Sequence, residues 1–436
     1  MGDSDGARIG GVVPTSRRRR IVAACLANGI EWYDFAVFGA MAPVLVVVVL
    51  PPQSRDAGLV TLFAVFASSF VARPIGAMLV GRRADRRGRR HALAAMILLM
   101  TGATAAMGLL APWSSVGILA PVSLLALRLA QGFSSGGEIS SSIPFLLESA
   151  PDRGWGLYSG WHTATMAGGL ASGIAVAGLI TASLSTESLQ TWGWRIAFLL
   201  ALPLGVVGLY LRLRLDDFPS SGGRTAPLGT PPTLRHMWRH HGATIRGGFA
   251  LVSVLSGTFN LWFVFLPAHM AVEGTHPLPV ALGCAASGLV SAAVAAPLLG
   301  LRSDRVGRRP VLVVATGSLC VLALPLYAMA MQRSWVALLV ADVTIGLVLG
   351  GLVVSAYVAE GFPVQARATG VGLTYGLATA IVGGTAALVG SVLASAGWSA
   401  GIPVYLIVIA GLGLLAIKRA PASRAVEADG AQSFAP

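Results

Sequence analysis

Runs of about twenty apolar residues, each ended by a short polar break, recur along this chain from Ile21 to Ile417. A helix of about that length crosses the hydrocarbon core of a bilayer, so the pattern admits one class of fold, an all-α integral membrane protein. Twelve spans are expected, at 21–50, 58–81, 91–111, 117–146, 157–183, 193–211, 246–272, 278–300, 310–331, 335–359, 368–396 and 400–417. The first is long enough to be tilted, or to end before Pro51 and Pro52. Composition agrees: 55% of the 436 residues are apolar and 11% charged, against about 25% charged in soluble domains.

The net charge of +13 and the runs "SRRRR" and "GRRADRRGRR" invite a nucleic-acid reading. Position argues against it. With a cytoplasmic N-terminus, the tails and the even-numbered connections carry 26 of the 31 Lys and Arg. The external loops carry only Arg55 and Arg333, while Arg73, Arg128 and Arg195 lie in or at the edge of the membrane. That is the positive-inside asymmetry, so both termini are expected on the cytoplasmic side. The run after Arg20 is too long for a signal h-region and shows no A-x-A site, so it reads as a retained first helix. Cys25, Cys284 and Cys320 fall within spans and lack metal-ligand spacing. No disulfide, metal or cofactor is expected. The preference for Arg over Lys and the abundance of Ala and Gly are compatible with a high-GC bacterial genome, and a bacterial inner membrane is the expected location.

An internal repeat organises the spans. "GRRADRRGRR" (Gly81 to Arg90) and "GLRSDRVGRR" (Gly300 to Arg309) share Gly-x-x-x-Asp-Arg-x-Gly-Arg-Arg and lie 219 residues apart. Span 4 ends in Glu148 followed by Arg153, and span 10 in Glu360 followed by Arg367. Duplication follows: a basic tail at 1–20, a six-helix bundle at 21–214, a cytoplasmic linker at 215–244, a second bundle at 245–418 and a tail at 419–436. Two parallel halves with substrate held between them form the architecture of alternating-access carriers. Gly81, Gly88, Gly300 and Gly307 permit tight turns, and Asp85 and Asp304 can cap helix N-termini. Arg86, Arg89, Arg305 and Arg308 can pair with acidic helix ends across the seam, with Glu148 and Glu360 as partners. These contacts would shut the cytoplasmic side.

The paired loops resemble the signature of the major facilitator superfamily over nearly the whole chain. Within it, "NGIEWYDFAVFG", "RLAQGFSSGGE", "TWGWRIAFLLALPLG" and "AEGFPVQARATGVGLTYGLATAIVGGT" resemble the metabolite:proton symporter family. The resemblance implies a twelve-helix carrier, working as a monomer, that imports a small organic acid or a zwitterionic osmolyte with a proton. "GTFNLWFVFLPAHM" (Gly257 to Met270) matches the family less well, which leaves the substrate open.

Charges inside the spans are the candidate site. Glu31 and Asp34 stand three residues apart on one face of helix 1, and in a poor solvent they cannot both ionise easily. One of them is therefore expected to bind a proton. Arg128 on helix 4 reaches a depth similar to that of Asp34, and the resemblance implies that these two form the proton-coupling couple. The alternative is a static ion pair. Arg73 either binds a substrate carboxylate or pairs with Glu31. Asn28, Gln131 and Asn260 either line the cavity or bond neighbouring helices. Glu138 is a candidate proton relay, His162 either a structural residue or a group titrating in the useful range, and Asp342 a buried carboxylate whose partner the sequence does not name. No catalytic constellation is present, so the rivals to import are an exporter on the same scaffold and a non-transporting sensor or scaffold.

Overall fold

The computed structural model describes residues 17–87, 89–136, 143, 146–147, 150, 154–214 and 234–419, with side chains for all of these except 17–27, 80–87, 89–93, 211–214 and 365. The described residues hold helices and turns and no strand. The first expected span is two helices, α1 (Arg17–Ala40) and α2 (Ala42–Val49), bent by 61°. Pro43 causes the break: it lacks an N–H to continue the α1 ladder but suits the first turn of a new helix. A kink at Met41 thus replaces the single tilted span.

Helices α3 (Arg55–Arg87), α4 (Arg89–Gly108), α5 (Leu119–Ser135), α6 (Trp155–Ser183) and α7 (Thr186–Tyr210) complete the part before the linker. After it come α8 (Leu234–Glu273), α9 (Leu278–Val306), α10 (Arg308–Ala330), α11 (Trp335–Glu360), α12 (Ala366–Ser395) and α13 (Gly401–Arg419). Among the described residues nine helices are long and apolar enough to cross a membrane, and the bent pair α1–α2 makes a tenth. Spans 3 and 4 correspond to the shorter apolar segment Ala94–Gly108 and to α5, whose described part has 17 residues. Residues 234–244, expected in the linker, are helical and open α8, with non-helical backbone at His241.

Among the described residues three helices contain a π-helical turn: Leu189–Gly193 in α7, Phe259–Phe265 in α8 and Thr379–Gly383 in α12. Each widens its helix by one residue per turn and turns the following face relative to the preceding one.

Small residues set the closest contacts. A methyl at Gly160 of α6 would collide with the Ala296 carbonyl of α9, and Gly156 meets Gly300 in the same way. Gly300 is therefore a packing residue inside α9, whereas Gly307, at φ +92°, makes the expected turn into α10. On its other face α6 presses Gly169 and Gly173 onto the Gly29 and Tyr33 carbonyls of α1. Helices before and after the linker meet at both ends of the bundle. At the end carrying the repeated loops α6 touches α9; at the far end the Phe63 and Phe265 rings lie 5.8 Å apart. The embedded charges lie between these two closures.

Candidate functional site

Asp34, Arg128 and Arg73 are buried at 2%, 0% and 3% exposure. Charges held that far from water need partners, and the nature of those partners defines the site. Thr104 on α4 has its hydroxyl 3.0 Å from Asp34 Oδ2 and 3.0 Å from the Met100 carbonyl, so one proton serves two acceptors. The same hydroxyl accepts from Gln131 Nε2 at 2.9 Å. Gln131 in turn accepts through Oε1 from Arg128 Nη1. Arg128 Nη2 donates to Ser69 Oγ at 3.3 Å.

Asp34 and Arg128 do not form a direct ion pair. Among the described residues, the ion pairs within 4 Å are Arg308 with Asp304 and Arg308 with Glu360. Asp34 and Arg128 are joined instead through Gln131 and Thr104, in a chain whose donors all point from cation to anion. Gln131 stands one turn from Arg128 on α5, which fixes both on one helix face. Asp34 Oδ1 has no hydrogen-bond partner among the described residues. Glu31 and Asp34 share a small cavity with Met100, Thr101 and Gly208.

The two guanidiniums are held by rings. Arg128 lies 4.2 Å from the Phe38 centroid and 4.8 Å from Phe66, and Arg73 lies 4.3 Å from Phe70 and 4.6 Å from Phe35. Phe35 also serves Arg128, at 5.2 Å. Such contacts are worth about 2 kcal/mol each when desolvated. They leave the hydrogen-bond donors unsatisfied: among the described residues, Nε, Nη1 and Nη2 of Arg73 are all buried without an acceptor. Arg73 interacts electrostatically with Glu31, as the sequence allowed, but no acceptor among the described residues occupies its fork.

Asn28 and Asn260 bond backbone or neighbouring helices. Asn28 Nδ2 donates to Thr165 Oγ1 at 2.9 Å and to the His162 carbonyl, and Asn260 Nδ2 donates to the Ser256 carbonyl one turn back. His162 reaches across the seam, its Nδ1 lying 3.4 Å from Ser355 Oγ.

At the repeated loops, Asp304 accepts from the backbone N–H groups of Gly156 and Leu157 at 2.8 and 2.9 Å, capping the first turn of α6 from the opposite side of the seam. Arg308 bonds Asp304 at 2.5 Å and Glu360 at 2.8 Å. Since Asp304, Arg308 and Glu360 all follow the linker, the Arg308 pairs do not cross the seam as expected; the Asp304 carboxylate does. Arg367 stacks over Trp155 at 4.8 Å and donates to the Ala359 carbonyl, while Arg305 is exposed. The expected gate and relay residues Glu138, Glu148 and Arg153 lie outside the described residues, as does Gly88. So do the side chains of Asp85, Arg86 and Arg89; Gly81 lies on α3.

Sequence reasoning missed Thr104, Ser69 and the Phe35, Phe38, Phe66 and Phe70 rings. A threonine inside an apolar run carries no distinctive signal. The phenylalanines carry one only by recurring at helical spacing next to embedded arginines: Phe66 and Phe70 precede Arg73 by seven and three residues.

A family model described as Major Facilitator Superfamily matches residues 24–383. The proline/betaine transporter of Salmonella typhimurium is 29% identical over 420 residues, covering 91% of this chain and 82% of that protein. The alpha-ketoglutarate permease of Escherichia coli is 31% identical over 415 residues, covering 92% and 93%. A solved D-xylose-proton symporter superposes with a TM-score of 0.72 at 19% identity, covering 92% of this chain and 96% of that one.

Proposed function

This chain belongs to the Major Facilitator Superfamily and is a membrane transporter, not an enzyme, and from that premise we propose that it imports a small organic acid or zwitterionic metabolite together with a proton. The observation that carries the substrate class is the Arg73 fork, buried and without an acceptor among the described residues. A guanidinium presents five donors in a plane that matches a carboxylate. Proline, betaine and alpha-ketoglutarate, the compounds in the relatives' names, all bear one. Phe35, Phe70 and Trp32 around Arg73 suit the apolar or quaternary-ammonium remainder of such a ligand.

Proton coupling is read from the Arg128–Gln131–Thr104–Asp34 chain. An ionised Asp34 orients Thr104 and Gln131 and, through them, holds Arg128. Protonation removes the charge at the end of the chain, frees the Thr104 hydroxyl for the Met100 carbonyl alone and loosens Arg128. The two six-helix halves then rock about the substrate, with the α6 to α9 seam opening when Asp304 leaves the α6 N-terminus. In this reading the loop end is cytoplasmic, both termini lie there, the membrane is a bacterial inner membrane and the carrier works as a monomer.

The test is uptake into proteoliposomes of labelled proline, betaine, citrate, 2-oxoglutarate and shikimate, with and without an inward proton gradient, for wild type and Asp34→Asn. Gradient-stimulated uptake of one compound by the wild type, lost in the variant while exchange of bound substrate persists, is the expected result. Uptake by the variant that still follows the gradient would remove Asp34 from the coupling.

A further inference from the structure

We propose that Asp342 and Trp262 form a second proton-binding site, located among the helices after the linker. The site begins with the sequence: Asp342 is a carboxylate seven residues into α11, in the apolar run "WVALLVADVTIGLVLG". It is buried at 2% exposure. An ionised carboxylate offers about four acceptor positions. Among the described residues one donor reaches Asp342, the Trp262 indole Nε1, at 2.7 Å from Oδ1.

The packing keeps water and counter-charge away. Gly288 on α9 lies so close to the Asp342 carbonyl that a Cβ there would meet it at 2.5 Å, and Gly346, one turn on, touches the Gly288 carbonyl. Titratable groups on the surrounding helices do not form an ion pair with Asp342 among the described residues. Cys284 on α9 points its Sγ to the Trp335 carbonyl, and Cys320 on α10 points its Sγ to that of Ile407. His269 on α8 stacks on Phe265, His162 on α6 faces Ser355, Tyr327 stands near the far end of α10, and Arg308 is engaged with Asp304 and Glu360 at the loop end. An N–H aimed at the carboxyl suits a proton site and not a metal ion, which requires converging oxygens. In the closed arrangement the carboxyl is therefore neutral, its carbonyl accepting from Trp262.

The site can also unload. Trp262 sits in the middle of the π-helical turn Phe259–Phe265, where the helix is one residue out of register, and regularising that turn would change the face α8 presents beyond it. A change of face on α8 would withdraw the indole from Asp342 and admit water. The use of this second proton in transport rests on the symport reading above; its binding does not.

Infrared spectroscopy of the full-length protein in lipid, titrated from about pH 5 to about pH 9, reads protonated carboxyls directly. A carboxyl C=O band that is absent from Asp342→Asn, shifts to higher frequency in Trp262→Phe and fades with rising pH is expected. A spectrum unchanged by Asp342→Asn would overturn the site, as would an Asp342 band that persists undiminished over the whole pH range or one that ignores Trp262→Phe. Trp262→Phe keeps the carboxyl in place, so the question can be answered even if Asp342→Asn does not fold. Wild-type vesicles without gradient-driven uptake but with a titrating Asp342 band would end the symport reading and leave the proton site standing.

Discussion

The helices before and after the linker treat buried charge in opposite ways. Before the linker, Asp34, Glu31, Arg73 and Arg128 are gathered near one another, and a chain of two neutral side chains ties Asp34 to Arg128. After it, Asp342 is held by one indole N–H and no buried Arg or Lys accompanies it among the described residues. Opposite charges linked through polar side chains form a device that a ligand or proton can reset. A solitary carboxyl in apolar packing has only its own proton to exchange. The interior chemistry of the two parts therefore differs in kind.

The comparison breaks first at Arg128. Removing the cation of a buried, linked set leaves Asp34 and Gln131 without their counterpart, at a cost of about 3–5 kcal/mol. Arg128→Ala is expected to lower gradient-driven uptake at least about 100-fold and to lower the thermal midpoint in detergent. Normal uptake by that variant would mean that the chain to Asp34 is not used.

Substrate binding separates the two parts next. Arg73→Lys keeps the charge but loses the fork, and a bidentate carboxylate contact replaced by a point charge is expected to weaken binding about 10- to 100-fold. Asp342→Asn is expected to leave binding within about two-fold, since no ligand-binding cation accompanies it. Counterflow, which reads binding and reorientation without a proton gradient, measures both. Equal losses would erase the division of roles.

At the seam, Asp304 tests how the loop end is held shut. It supplies two charge-assisted bonds to the α6 N-terminus across the seam. Asp304→Asn keeps the size and removes the charge, and is expected to raise the labelling rate of a Ser159→Cys reporter by an aqueous maleimide about ten-fold, as the loop end opens more often. Ser159 is fully buried in the closed form and accepts from the Ala356 N–H across the seam. Unchanged labelling would assign closure to the Gly160 and Ala296 packing alone.

How much of this could be read in the sequence depended on how local each feature was. The membrane fold and the family were visible because apolar run length and the repeated Gly-x-x-x-Asp-Arg-x-Gly-Arg-Arg loops are local patterns. Asp34, Arg128, Arg73 and Gln131 stood out because charge and amide are rare inside an apolar run. The links between them did not stand out. Thr104 is 70 positions from Asp34 and Trp262 is 80 from Asp342, and nothing in a threonine or a tryptophan marks its distant partner. The bend after Ala40 had a signal in Pro43, outweighed by the unbroken apolar run through Leu50. The π-helical turns had none, since one extra residue in a helical turn leaves apolar composition unchanged.

The finest division lies within the first part itself, between the residues in the chain and those beside it. Thr104 is in series between Gln131 and Asp34, giving and accepting at 3.0 and 2.9 Å. Ser69 is in parallel, meeting Arg128 at 3.3 Å while donating its own proton to the Phe66 carbonyl. Thr104→Val preserves shape but breaks the series link, and a lost bond of about 1–1.5 kcal/mol corresponds to a fall in gradient-driven uptake of about ten-fold. Ser69→Ala removes one long contact from a cation that keeps Gln131 and the Phe38 and Phe66 rings, so a change of less than about two-fold is expected. Because both variants lose one hydroxyl in fully buried positions, a general packing defect would affect them alike. The ratio between their uptake rates, measured in the same vesicle preparation, therefore reports whether the proton signal runs through Thr104: a ratio near one would disconnect Asp34 from Arg128, and a ratio of about five or more is what a series link requires.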